Sequence, residues 1–150
     1  MKIIRNVTSN SAQEATKKYG NEGHVYLNQS EVEDAETENI TYNYDKVIIE
    51  NGLKYADPIE AATIYLNEID KQKKLDEIIV TTSTGKSFYC DPVSRTDISD
   101  AIALSVETGQ TTIDWKLSTG WENVSLSDMR EARILGLQAK ANIIGMLTDA

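Results

Sequence analysis

The sequence predicts an α+β fold, with a β-rich N-terminal module with hairpins at residues 1–56. A small helix/strand module ending in a long C-terminal helix follows at 57–150. Three observations point there. Asn51-Gly52 stands between β-rich runs, and both residues accept the positive φ of a type I′ hairpin turn. Asp57-Pro58 and Asp91-Pro92 each place an acidic cap before a proline, which suits the first position of a helix. From Leu126 onward, apolar residues recur with a helical period.

Residues 2–7 read as a short strand, and Ser11-Ala12-Gln13-Glu14 as a capping box opening a short helix that Gly20 closes. Residues 24–28 are strand-like, with His24 at the start. The run 31–38 holds five acids in eight residues but lacks the alternating Asp/Asn spacing and central glycine of a calcium loop, so a solvated loop is expected. Residues 40–44 and 46–50 are β-rich, and after Asn51-Gly52 the chain returns through Leu53, Lys54 and Tyr55. Asp57-Pro58-Ile59-Glu60 then starts a helix predicted over 58–74, bridging the two modules, with Ile59, Ala62, Tyr65, Leu66 and Ile69 on one face. Its basic tail, Lys71-Gln72-Lys73-Lys74, suits the negative end of the helix dipole.

Residues 77–82 and 87–90 form a second hairpin around Ser83-Thr84-Gly85-Lys86. Gly85-Lys86-Ser87 copies the end of a phosphate-binding loop, but Val80 stands where that motif needs glycine, and a strand rather than a helix is expected next. A helix follows over 92–107, with Ile98, Ala101, Ile102 and Val106 inward and its end near Gly109. The strand 111–117 alternates, with Ile113, Trp115 and Leu117 on one face and Thr112, Asp114 and Lys116 on the other. After a turn at Gly120, Ser125 and Asp128 resemble a capping box with Asp in place of Glu, opening a helix over 126–148. This helix carries two apolar stripes. Met129, Ala132, Gly136, Ala139, Ile143 and Leu147 suit close packing; Ile134, Leu137, Ala141 and Ile144 form a second, offset stripe that would dock against another subunit or a fibre, the alternative being a helix sandwiched inside its own domain.

The chain carries a formal net charge of −9, spread over both modules: ten acidic against six basic side chains in residues 1–57, and fourteen against nine in the rest. Such a surface repels phosphate backbones, so nucleic acid is excluded as an expected partner. A lone Cys90 at a strand end allows no internal disulfide and reads as a small core residue. The first ten residues hold Lys2 and Arg5 but no apolar segment of signal-peptide length, and no run approaches the ~20 residues of a membrane span. Synthesis in a cytoplasm without membrane insertion is therefore expected, and Asn-x-Ser/Thr triplets at Asn6, Asn28, Asn39 and Asn123 read as chance. His24 is the sole histidine, so a His-based triad or multi-histidine metal site lacks its parts. Asp97, Asp100 and Asp114 are the carboxylates a glycan hydrolase would need to pair, but helix spacing turns Asp97 and Asp100 to solvent. Trp115 reads as core and Trp121 as a half-exposed turn aromatic, with sugar stacking its functional alternative. No catalytic, cofactor-binding or metal-binding residue is assigned.

The succession of strand, acid-capped helix, strand containing Trp115-Lys116, turn, and helix start Val124-Ser125-Leu126 with Asp128-Met129 resembles an uncharacterised domain family. That family recurs in tail-fibre and tail-fibre-assembly proteins of tailed bacteriophages and prophages. The likeness spans residues 77–148, about half of the chain. It implies a non-enzymatic phage or phage-derived tail component, made in the bacterial host cytoplasm and located in the virion tail, near fibres or host attachment. Its implied partners are other tail proteins, such as fibre or baseplate subunits, and further copies of itself. A tail-fibre assembly chaperone absent from the mature particle is the alternative, and a small glycan hydrolase a distant one. The family supplies no catalytic residues to carry over.

Overall fold

The computed structural model describes residues 1–10, 12–19, 22–33, 36, 39–50 and 57–145, without the side chains of 17–19 and 50. It is α+β as the sequence predicts, and its chain divides into two compact units, Met1–Ile69 and Asp70–Ala150.

The first unit is a four-stranded antiparallel sheet in the order β1-β4-β3-β2, made of β1 (Lys2–Ser9), β2 (Thr16–Tyr19), β3 (Glu22–Glu33) and β4 (Ile40–Glu50). β4 is central. The register sets Val47 between Ile3 of β1 and Val25 of β3. With Ile49, Ala62 and Leu66, Val25 and Val47 form the first core; Ala62 and Leu66, four residues apart, come from α1 (Pro58–Asp76).

Three expectations for this unit are corrected. Residues 16–19 form β2, not a helix: Thr16 pairs with Val25 and Tyr19 with Glu22, and sheet pairing overrides a helical periodicity that was already weak. Ser11 and Gly20, the ends of that expected helix, lie outside the described residues. The acidic run does not open a loop at Glu31, since β3 continues through Glu33, with Glu31 opposite Tyr42 and Glu33 opposite Ile40. Both carboxylates extend into solvent from strand positions, which costs the sheet little. The two β-rich runs at 40–50 are one unbroken strand, and from Tyr42 to Ile48 residues of β4 are paired on both sides. The turn placed on Asn51-Gly52 and its return strand lie outside the described residues.

Two bulges interrupt the sheet, each adding one residue: in β1 between Ile4 and Val7, opposite Asp45, and in β3 between Leu27 and Ser30, opposite Tyr44. Asn6 (φ 52°) and Asn28 (φ 55°) take the left-handed conformation there, which asparagine tolerates better than most residues. Asp45 is buried between them. Its carboxylate accepts from the Asn6 amide at 3.2 Å, Asn28 Nδ2 at 3.0 Å and Arg5 Nη1 at 3.1 Å. Burial alone would raise its pKa, but the hydrogen bonds from Asn28 and Asn6 and the Arg5 charge outweigh that and hold it below the ordinary carboxylate range.

The second unit packs two hairpins and two helices around one core. The hairpins are β5 (Ile79–Thr81) with β6 (Ser87–Tyr89), and β7 (Thr112–Leu117) with β8 (Gly120–Ser125); the helices are α2 (Pro92–Thr108) and α3 (Leu126–Ile144). Phe88, Cys90, Ile98, Leu117, Val124, Met129 and Ala132 are the most deeply buried side chains, with Leu75 from the end of α1 packed against them. Val106 is a correction: it is 56% exposed, whereas Ser105, 1% exposed, faces the core and satisfies its hydroxyl on the Ala101 carbonyl at 2.8 Å. The inward face of α2 is thus Ile98, Ile102 and Ser105, a 4-then-3 spacing that Val106 falls outside. Among the described residues, no helix is long and apolar enough to cross a membrane.

The helix starts match the caps read from sequence. Asp57 Oδ1 accepts from the amides of Ile59 and Glu60 at 3.1 and 3.0 Å, and Asp91 Oδ1 from those of Val93 and Ser94 at 3.1 Å each. Asp57→Ala and Asp91→Ala are each expected to destabilise by roughly 0.5–2 kcal/mol. Denaturant titration checks this, and unchanged midpoints in both variants would contradict it. At α3 the Asp128 amide donates to Ser125 Oγ at 3.0 Å, while the Ser125 hydroxyl donates to the Asp128 carboxylate at 2.7 Å. The pair closes through side chains rather than through the reciprocal backbone bond of a full capping box.

Candidate functional site

A groove of about 330 Å³ in the second unit is lined by Tyr89, Ser94, Asp97, Asp114, Trp115, Lys116 and Trp121. Its shape follows from strand alternation. In β6, Phe88 points into the core and leaves Tyr89 outside. In β7, alternation sends Leu117 inward and Asp114 and Lys116 outward, and the β7–β8 register places Trp121 opposite Lys116 and Asn123 opposite Asp114. Trp121, Lys116, Asp114 and Asn123 therefore share the outer face of this hairpin. The first turns of α2 bring Ser94 and Asp97. Gly120, at φ 133°, closes the hairpin in a conformation that a side chain would strain.

Local bonds hold several of these groups. Asn123 Nδ2 donates to Asp114 Oδ1 at 2.8 Å, and the Ser94 hydroxyl donates to the cap residue Asp91. Behind the hairpin, Lys86 pairs with Glu122, and this bond holds the Glu122 carboxyl below its ordinary range. Trp115 is half-buried against the core, whereas Trp121 is 72% exposed, further out than its sequence position suggested.

Of the three carboxylates singled out from sequence, the groove gathers Asp97 and Asp114 and leaves out Asp100, which is exposed elsewhere on α2. Tyr89 and Lys116 were not expected there as binding groups. The alternation Phe88-Tyr89 and Trp115-Lys116 gives their outward direction, but which outward residues meet depends on how α2 and the hairpins pack.

The two stripes of α3 differ in exposure. Met129, Ala132 and Gly136 are buried against the core. On the offset stripe, Ile134 is 57% and Leu137 48% exposed, while Ala141 and Ile144 are half-buried. Leu147 lies outside the described residues.

Gly85-Lys86-Ser87 sits in the β5–β6 turn and runs straight into β6. The turn is bound to acids of α3: the Ser83 amide and hydroxyl donate to the two oxygens of Glu131 at 2.8 and 2.9 Å, and the Thr84 hydroxyl donates to Asp128. Thr84 is the main reason the Asp128 carboxyl lies below its usual range. Donors already facing carboxylates, with those charges beside them, make a poor phosphate cradle. Cys90 is fully buried, and burial pushes its thiol up to about 11, against the attraction of Arg95, so it behaves as a core residue and not a nucleophile. Among the described residues, no group of three or more His, Cys, Asp and Glu side chains is placed to hold a metal ion. Comparison with known proteins returned no matching family model, no matching curated protein and no matching solved structure.

Proposed function

We propose that this chain is a non-enzymatic component of a bacteriophage or phage-derived tail, associated with fibres or host attachment and acting by protein–protein contact. The observation that carries the reading is the outer stripe of α3, where Ile134 and Leu137 stand exposed on a helix whose opposite face already builds the core. A small domain needs one apolar helix face to fold, and a second one is explained by a partner. Leu104 and Val106 of α2 and Val93 at its start are also exposed, adding apolar surface to the same unit. The tail assignment itself rests on the resemblance over residues 77–148, a span that falls inside the second unit.

Mass spectrometry of purified particles tests the location. The chain is expected in the virion; its absence from particles, with presence in the lysate, would replace this reading with that of an assembly chaperone. The contact surface is tested by Leu137→Glu combined with Ile144→Glu, followed by light scattering and a thermal melt. Loss of association with the fold intact is the expected result. Unchanged association would remove the stripe as an interface, and global unfolding would make it core.

A further inference from the structure

We propose that the groove between the β7–β8 hairpin, Tyr89 and the first turns of α2 binds a single neutral pyranose ring. The inference does not rest on the tail reading. A pyranose has a flat face of C–H groups and a rim of hydroxyls that both donate and accept, so a site for it needs an accessible aromatic face beside mixed hydrogen-bonding groups. The groove offers both. Trp121 is 72% exposed and Tyr89 is 40% exposed, so both residues present accessible surface at the groove. Isolated small apolar residues on a surface are ordinary; a Trp and a Tyr beside charged groups in one concavity are a less common combination.

The polar lining discriminates among ligands. Asp97 and Asp114 supply acceptors, and Asp114, with one oxygen on Asn123, has a second to offer. Lys116 supplies donors on the same face as Trp121, its cross-strand partner. Two carboxylates repel an anionic sugar or a phosphate, and the Lys116 ammonium works against a quaternary ammonium held by the rings. A neutral polyol with one apolar face meets every group without an uncompensated charge. At about 330 Å³ the groove stands at the small end of small-molecule sites, in keeping with one ring rather than a long chain of them.

The chain's two tryptophans are both among the residues lining the groove, Trp121 on its outer face and Trp115 packed behind it against the core, so two indole N–H resonances are available to follow binding there. The experiment titrates the full chain with methyl α-mannoside, methyl β-glucoside, methyl β-galactoside and N-acetylglucosamine, together with tetramethylammonium and glucuronate as charged controls, and follows both indoles by two-dimensional NMR. At least one neutral glycoside is expected to shift both indoles saturably, and neither charged control to do so. Trp121→Ala, at an exposed position, is expected to keep the melting temperature and weaken binding at least tenfold as read from the Trp115 indole; Asp97→Asn is expected to weaken it at least threefold. No saturable shift with any neutral glycoside would overturn the proposal, as would binding unchanged in Trp121→Ala. Saturation by tetramethylammonium alone would make this a cation site instead, and by glucuronate alone an anion site.

Discussion

Gly136→Val is expected to destabilise the second unit by roughly 3 kcal/mol, the upper range of overpacking a dense core. A Cβ at position 136 would stand 2.9 Å from Cys90 Sγ and 3.0 Å from Cys90 Cβ, with Arg95 Cδ at 3.6 Å. Cys90 has little room to retreat: it is fully buried, its thiol donates to the Ala132 carbonyl at 3.7 Å, and its amide to the Ile78 carbonyl at 2.8 Å. In an open helix, glycine to alanine would stabilise by about 1 kcal/mol. Here that gain opposes a clash, so Gly136→Ala should be mildly destabilising and valine, with two further methyls, severely so. Denaturant melts of the two variants in wild-type and Cys90→Ala backgrounds form a double-mutant cycle. Removing the sulfur should recover at least about 1 kcal/mol of the Gly136→Ala cost, given the contact distance. Strictly additive effects would show that the helix does not rest on Cys90 in this way.

Gly136 also shows why the second unit was legible in the sequence. Its helices announce their starts locally, since Asp91 and Ser125 bind the amides their positions imply, and Gly109 ends α2 in the left-handed conformation as the sequence predicts; α3 instead stops at Ile144 with Gly145 left-handed, short of the residue 148 that the apolar period suggested. The alternation at 112–117 gave the inner and outer faces of β7 directly, because period two is a property of the strand itself. Val106 failed because periodicity permits several neighbouring faces, and tertiary packing selected the one bearing Ser105. The first unit was less legible because its signals are non-local. Whether 16–19 becomes helix or strand is decided by pairing with β3. That β4 is an inner strand of the sheet is decided by β1, some forty residues earlier in the chain.

The candidate groove had the same mixed fate. Trp121, Asp97 and Asp114 were each identifiable as residue types suited to ligand chemistry, but their meeting is a product of α2 packing beside the β7–β8 hairpin. Asp97 and Asp114 are separated by a helix and a turn, and no spacing rule connects them. Asp45 was invisible altogether. It is one of 24 acidic residues, and the asparagines that define its pocket, Asn6 and Asn28, sit in separate strands and stood out only as two of four Asn-x-Ser/Thr triplets, a pattern that carries no information about a bulge.

Asp45→Asn is the test of that invisible site, with an expected loss of roughly 2–4 kcal/mol at neutral pH. It removes the charge to which two side chains and one amide donate, and turns an NH2 group toward those donors. The exposure of Arg5 keeps the figure below that for a fully buried pair, since water screens part of its charge. The pH dependence follows from the direction of the shift. The folded-state pKa lies below the unfolded value of about 3.9, so the folded state binds its proton less readily. The stabilisation from the ionised carboxylate is therefore complete above the unfolded value and is lost as pH falls through the lowered folded one. Unfolding free energies measured from pH 7 down to about pH 2.5 should show the wild-type and Asp45→Asn curves far apart at neutral pH and converging in acid. Asp91, Asp128 and Glu122 are shifted the same way and contribute to the acid loss of both proteins, so the difference between the curves isolates Asp45. Curves that stay parallel to the lowest pH would mean that the bulges in β1 and β3 are held by something other than this carboxylate's charge.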